Sequence, residues 1–430
     1  MTNQPKFSGY FQAFLAALMT FTCGMSYGAY SLLIVPLSER LGCSLTAAGV
    51  PATVETFASF LVGLFGGGIL IEKFTARRCV LIGSLVACVF VAGYLYLPSL
   101  ALVCIFEAIV GASMAFGYSS GMSAFIRQWF IDKRESILGV AIACIGFGGA
   151  AGTWLFGVLD SRYGFGVTSI AFACLGVLCI LIYVFALRTP EQLGQKPLGW
   201  EKAEVLASEE GKGSGTDFGV DFKTVLRSPS LYLIMLSCLL WALSMVVSPY
   251  LATILMTNGV SDLDAANYST VNNIAIAVMS IVVGALTSKL GPKSYVISAF
   301  GAGIVGLAAM LAWLQASRTT ATLLLAVVLL GAGYVVGTTY GPIVTTKVFG
   351  NKCYDRVIPL VFGMRCVGLG VGVLLLPTLA EQQGDWTVPL LLAIGMMVVA
   401  IIMGLLAMQL APMRKLHVLT CHHYGGTIGM

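Results

Sequence analysis

The chain has 430 residues, of which 58% are hydrophobic and only 10% charged, with a mean hydropathy of +0.92. Water-soluble domains carry about 25% charged residues, so this composition excludes a soluble enzyme or soluble binding module. The net charge of +5 does not point to nucleic acid, because the basic residues sit in short loops between apolar runs, where they orient helices in a lipid bilayer.

About 20 apolar residues suffice to cross a ~30 Å hydrocarbon core. In chain order the apolar runs predict six spans over 11–36, 46–71, 79–97, 100–125, 137–159 and 165–187. Six more follow over 231–256, 270–286, 295–316, 321–345, 359–380 and 388–410. The opening "MTNQPKF" runs into the first apolar helix with no small-residue cleavage site, so it reads as an uncleaved span. The fold class is an all-α membrane protein with twelve transmembrane helices in two pseudo-symmetric six-helix bundles. Residues 1–187 form the N-terminal bundle, 188–229 a cytoplasmic linker, 230–410 the C-terminal bundle and 411–430 a tail. The linker holds the polar, glycine-rich "EEGKGSGTD", then "DFKTVLRSP", which suits a segment lying on the membrane surface.

Lysine and arginine set orientation. Only Arg40, Arg162 and Arg318 fall in the loops of one side, Arg365 lies within a span, and every other Lys or Arg falls on the side of the termini. Both termini are therefore expected in the cytoplasm, in a multi-pass protein of the cell membrane. The 12 cysteines form no C-x-x-C pair and read as small apolar residues rather than ligands or disulfides. The tail groups His417, Cys421, His422 and His423 without a second cluster, so no metal and no cofactor are expected. Asn267 opens a formal glycosylation triplet, a pattern common by chance.

The halves repeat. "GILIEKFTAR" (68–77) after span two matches "GALTSKLGPK" (284–293) after span eight, and "GASMAFGYSSG" (111–121) in span four matches "GAGYVVGTTYG" (331–341) in span ten. Such duplicated bundles place a solute at mid-membrane between rocking halves. The loop 68–78 resembles the G-x-L-x-D-R-x-G-R-[KR] motif of the major facilitator superfamily through Gly68, Leu70, Glu72, Lys73 and Arg77, with Thr75 and Ala76 departing from it. "RQWFIDKRESILGVAIACIGFGG" (127–149) is similar to the W-F-x-D-K-R-x-x-x-x-G stretch of oxalate/formate antiporters and monocarboxylate porters. "CGMSYGAY" and "VLRSPSLY" resemble that group as well.

The motif also has a physical reading. Gly68 and Gly284 allow close helix approach. Glu72 can face the positive N-terminal end of span eleven, with Lys73, Arg77 and Arg78 as counter-charges. Lys289 sits in the second copy, where Ser288 takes the acidic place. The resemblance implies that this gating cluster, Gly68, Glu72, Lys73, Arg77, Arg78, Gly284 and Lys289, latches the outward-open state. The plainer alternative is a cluster that only anchors topology.

Arg365 lies inside "VFGMRCVGLGVGVLLLP" (361–377), where a mid-membrane charge costs roughly 2.5–3.5 kcal/mol on insertion scales. A structural arginine capping carbonyls is one reading. An anion site is the other, since a guanidinium holds a carboxylate through two parallel hydrogen bonds. The subgroup resemblance implies a basic residue here for substrate, and a second in span eight where this chain has Ser280. A single cation suits a monocarboxylate. Tyr27, Tyr30, Tyr118, Trp241 and Tyr334 fall mid-span and can wall a pathway, and Asn273 is a further polar candidate. Glu55 and Glu107 are candidate proton carriers, and Glu107 shares a helical face with Tyr118. Gly148 and Gly152 read as a close helix contact rather than a phosphate loop.

The expectation is a secondary transporter of a small organic anion by alternating access, as proton symport or anion exchange. It is not an enzyme, it works in the lipid bilayer, and it is a monomer with no nucleic-acid partner. A proton-coupled exporter of amphipathic compounds is the rival transporter reading. A membrane sensor on a transporter fold is the rival from another class.

Overall fold

In a computed structural model, residues 6–65, 75, 77–83, 96–115, 122–130, 134–199, 219–316, 318–350 and 352–413 are described, and among them there is no β-strand. Gly68, Glu72, Lys73, Tyr118, the "EEGKGSGTD" stretch and the tail cluster lie outside the described residues. Span one is Lys6–Leu41 and span two is Leu45–Phe65. Span four is described as Leu100–Ser113 and Met122–Trp129. Spans eleven and twelve are Tyr354–Gln383 and Thr387–Gln409.

Two helix pairs turn on a single glycine. The run Arg134–Ala186 is divided into spans five and six by Gly164 (φ 77°, ψ 163°), and Asp262–Gln315 into spans eight and nine by Gly291 (φ 74°, ψ 166°). Only a residue without Cβ takes this positive φ cheaply. Span starts are capped by side chains visible in the sequence. Ser99 accepts from the Leu102 amide, Ser261 from Asp264 and Thr319 from Thr322. Each cap satisfies one of the orphan N–H groups at a helix start.

Span seven departs from the continuous helix expected over 231–256. It is Pro229–Met245, then a turn over 246–250, then Leu251–Thr257. Pro249 explains the break, since it has no amide proton and disfavours helix in the residue before it. The break is pinned from span eight, where Asn272 accepts from Ser248 Oγ at 2.8 Å and donates to the Val327 carbonyl at 2.9 Å. Span ten is also interrupted, as Thr320–Tyr334 and Val336–Phe349.

Glycines set the packing inside each half. A Cβ at Gly148 would overlap the Phe21 carbonyl oxygen, and one at Gly152 the Met25 carbonyl oxygen. Gly24 and Gly28 of span one meet the Ile145 and Gly149 carbonyls reciprocally. The close contact expected of Gly148 and Gly152 is thus present, with backbone against backbone. The second half repeats it. Gly368 and Gly372 of span eleven lie against the Leu239 and Leu243 backbones of span seven, at the same displacement along the chain as Gly331 from Gly111.

The linker ends are seated, one on each half. Leu198 donates to the Trp129 carbonyl at 2.7 Å, and Trp129 Nε1 donates to the Arg188 carbonyl at 3.0 Å. On the other half Val220 donates to the Phe349 carbonyl, Asp221 pairs with Lys352 at 2.7 Å, and Arg356 lies over Phe222. The short helix Phe222–Arg227 buries Val225 there, matching the surface segment expected from "DFKTVLRSP". Hereafter the side carrying these arms is the linker face.

The halves meet from the opposite face to the middle of the bundle, along two seams. Spans two and eleven touch through Thr46, whose amide and hydroxyl both donate to Glu381, and through Thr53, which donates to the Gly370 carbonyl at 2.9 Å. Phe57 then covers Gly370 and Phe60 covers Gly363. Spans five and eight touch at Gly146–Ala277, Gly149–Asn273 and Gly157–Ala266. Large apolar side chains such as Val140, Tyr163, Phe185 and Ile281 are exposed on the outside. An outward apolar belt is what a lipid-embedded bundle requires.

Gly152→Val should cost about 3 kcal/mol through overpacking against span one, read as a lower unfolding temperature in detergent, whereas Gly301→Val, with open space around it, should have little effect.

Candidate functional site

Arg365 lies about 16 Å along span eleven from Tyr354, at ~1.5 Å per residue. Its guanidinium carbon stands 5.9 Å from the centroid of the Trp241 ring, within cation–π range. Its Nε is buried and without a hydrogen-bond partner. Among the described residues it forms no ion pair.

Trp241 is the platform. Its indole Nε1–H donates to the Gly333 carbonyl at 3.1 Å, and its ring is 5.8 Å from Tyr334 at an interplanar angle of 52°. Gly333 is in the last turn before the interruption of span ten, where carbonyls lose their helical partners. The indole joins the Val335 amide on that carbonyl, so the helix break and the aromatic platform are one construction. Gly337, just past the break, has no room for a Cβ, which would overlap the Trp241 ring and press on Arg365 Nε. Spans seven, ten and eleven thus bring Trp241, Tyr334 and Arg365 together.

The other half presents acids. Tyr27 of span one donates its hydroxyl to Glu55 of span two. Glu107 of span four is fully buried, and neither of its oxygens has a hydrogen-bond partner. The backbone of Glu55 rests on Gly111, one turn from Glu107, and the two carboxyls are within electrostatic reach of each other. Tyr30 interacts with both acids and with Tyr250 from the break in span seven. Glu55 lies between Thr53 and Phe60 in span two, and Arg365 between Gly363 and Gly370 in span eleven, so both belong to one stretch of the seam. Cys366 feels both charges.

Asn273 sits on the five–eight seam, where its amide donates to Thr153 Oγ1 at 3.1 Å. Thr153 in turn donates to the Gly28 carbonyl at 2.7 Å. Its amide therefore ties the halves together. Ser280 hydrogen-bonds its own helix at Ile276. Of the gating cluster, Arg77 caps the end of span six through the Leu187 and Val184 carbonyls at 2.7 and 2.9 Å. Its charged form is disfavoured, by burial first and then by Arg188 and Arg78. Arg78 is exposed, and Gly284 and Lys289 lie in the helical backbone of span eight.

Sequence reading passed over three contributors. Tyr250 is fully buried and occupies the space beside Gly49, joining span seven to span two. Its signal was "SPY" (248–250), a serine–proline break inside an apolar run. Gly337 stood in the repeat as the counterpart of Gly117, but nothing there named Trp241 as its partner, and Asn272 had no local signal.

The family model described as Major Facilitator Superfamily matches residues 16–266 and 244–418. A probable anion transporter 3, chloroplastic, of Arabidopsis thaliana is 29% identical over 173 residues, 39% of this chain and 33% of that protein. The chain thus matches about a third of that relative's length. Two crystal structures of a mutant of the peptide transporter POT, one in complex with sulfate, each superpose with a TM-score of 0.68. Each covers 93% of this chain and 94% of the other at 16% identity, a likeness of fold.

Gly337→Ala should displace Trp241 and Arg365 together while leaving the fold intact. Intrinsic tryptophan fluorescence should shift, and binding of any ligand held by Arg365 should weaken by about tenfold.

Proposed function

This chain belongs to the Major Facilitator Superfamily, and from that membership we propose that it is a secondary active transporter of a small organic anion, in the first instance a monocarboxylate. The observation that carries the reading is the buried, unpartnered Nε of Arg365 on the Trp241 platform, at the seam between the halves. A cation kept in a membrane interior without a carboxylate partner suits a ligand that brings its own. One bidentate guanidinium matches one carboxylate. Trp241 stands beside it with Tyr334 against the indole, and the reading assigns Tyr27 and Tyr30, with Tyr118 as a further candidate from the sequence, to the pathway wall of the other half. The anion-transporter relative supports the charge of the solute, and the oxalate/formate and monocarboxylate resemblance supports its class.

The cycle is alternating access, as proton symport or anion exchange. The sealed two–eleven and five–eight seams correspond to the state closed on the outside, with the linker face in the cytoplasm and the protein in the cell membrane. Glu72 with its basic neighbours latches the opposite state. The second reading is a proton-coupled exporter of amphipathic compounds, favoured by the unpartnered, buried carboxyl of Glu107.

Counterflow of a panel of carboxylates in proteoliposomes tests the first reading. The native protein should exchange at least one monocarboxylate, and Arg365→Gln should lose that exchange at least tenfold, with Arg365→Lys intermediate because an ammonium cannot make the paired contact. Equal counterflow by the native protein and Arg365→Gln refutes the anion site. Drug sensitivity of a deletion strain, without carboxylate exchange, selects the exporter.

A further inference from the structure

We propose that Glu107 is the proton carrier of the transport cycle, and that Glu55, held by Tyr27, is the relay between it and the solute cavity. This rests on the transporter reading above but commits to the coupling ion and to one of two carboxyls that the sequence treats alike.

The two acids differ in what surrounds them. Glu55 is half-buried, accepts the Tyr27 hydroxyl, and lies on the seam with Arg365 and Cys366. One of its oxygens therefore has a donor. Glu107 has no solvent exposure and no donor at either oxygen. Among the described residues, the titratable groups near it are Tyr27 and Tyr30 of span one, Glu55 of span two and Cys104 of its own helix. None is a cation. An ionised carboxyl there would lack water, a counter-charge and a hydrogen bond, which is the most costly condition for such a group. The neutral acid is the form this site holds while the opposite face is closed.

The geometry also supplies a route. The Glu55 backbone rests on Gly111, one turn from Glu107, so the carboxyls rise from the closest contact between spans two and four. Span two is the helix whose far end is fastened to the other half by Glu381 and by the Gly370 carbonyl. Opening that seam moves Glu55 relative to Glu107 and admits water to both. In the balanced step, with the seam open a proton from water passes by the Glu55 carboxylate to the Glu107 carboxylate; with the seam closed it returns by Glu55 to water on the linker side, leaving Glu107 as the anion until it is reloaded. One proton on Glu107 and one monoanion on Arg365 make the loaded carrier electroneutral relative to the empty one.

Two measurements test this, one independent of any solute. Infrared difference spectra of the purified full-length protein at neutral pH should contain a carboxylic-acid carbonyl band that disappears in Glu107→Gln and persists in Glu55→Gln. A native protein without that band overturns the assignment, whatever its solute. In proteoliposomes, an inward acid gradient of about one pH unit should drive about tenfold accumulation of the monocarboxylate found by counterflow. Replacing sodium by potassium should change nothing. Glu107→Gln, which copies the shape of the neutral acid, should still exchange solute while its gradient-driven accumulation falls to onefold. Glu107→Asp, as a second variant, should accumulate with a displaced pH profile. Accumulation that survives in Glu107→Gln, or that requires sodium, overturns the proposal. Absence of carboxylate counterflow in the native protein sinks the anion reading instead, and leaves the infrared result to decide Glu107.

Discussion

Hydrocarbon offers no hydrogen-bond partner, so every polar group in the bundle must find one in protein or be kept for a purpose. That constraint orders most of what is seen here. Where span ten breaks, the Gly333 carbonyl is met by the Trp241 indole. Where span seven breaks, Ser248 is met by Asn272, which also meets Val327. Thr20, Thr153 and Ser237 turn their hydroxyls onto the carbonyls of neighbouring spans. Several buried hydroxyls among the described residues lack a partner, but the charge-bearing exceptions carry the most weight: Arg365 Nε and both oxygens of Glu107. They lie in opposite halves.

The same economy appears in the repeat. Spans one and five, and spans seven and eleven, approach until glycine meets backbone, at corresponding points of the two halves. Close packing of this kind makes each half a stiff body, since interiors at crystal-like density move as units rather than deform. The seams between halves combine close glycine–alanine contacts of spans five and eight, aromatic edges over glycines, the Thr53 hydrogen bond to Gly370 and one carboxylate cap, Glu381 on Thr46.

Much of the fold was legible in the sequence. The apolar runs located the spans, although span eight starts at Asp262 rather than near 270, and Gly148 with Gly152 announced a close helix contact without naming span one. The site was only partly legible, for a physical reason. A membrane helix is apolar toward lipid and toward its neighbours, so periodicity does not say which side faces inward. Arg365, Trp241 and Tyr334 stood out as chemistry in apolar runs, and they do converge. Glu55 and Glu107 looked equivalent, because the difference between them is a hydroxyl from span one and a layer of packing. The turn over 246–250 was marked by Pro249, yet a run of apolar residues on either side hid it.

The seated linker arms have a mechanical meaning. With Leu198 fastened to one half and Val220 to the other, each arm travels with its own body, and only the chain between those anchors spans the moving parts. Fully extended, that stretch reaches roughly 70 Å at ~3.3 Å per residue, far beyond any displacement of a few ångströms at that surface. By its length the covalent connection therefore sets no limit on the stroke, and it keeps the two bodies at high local concentration.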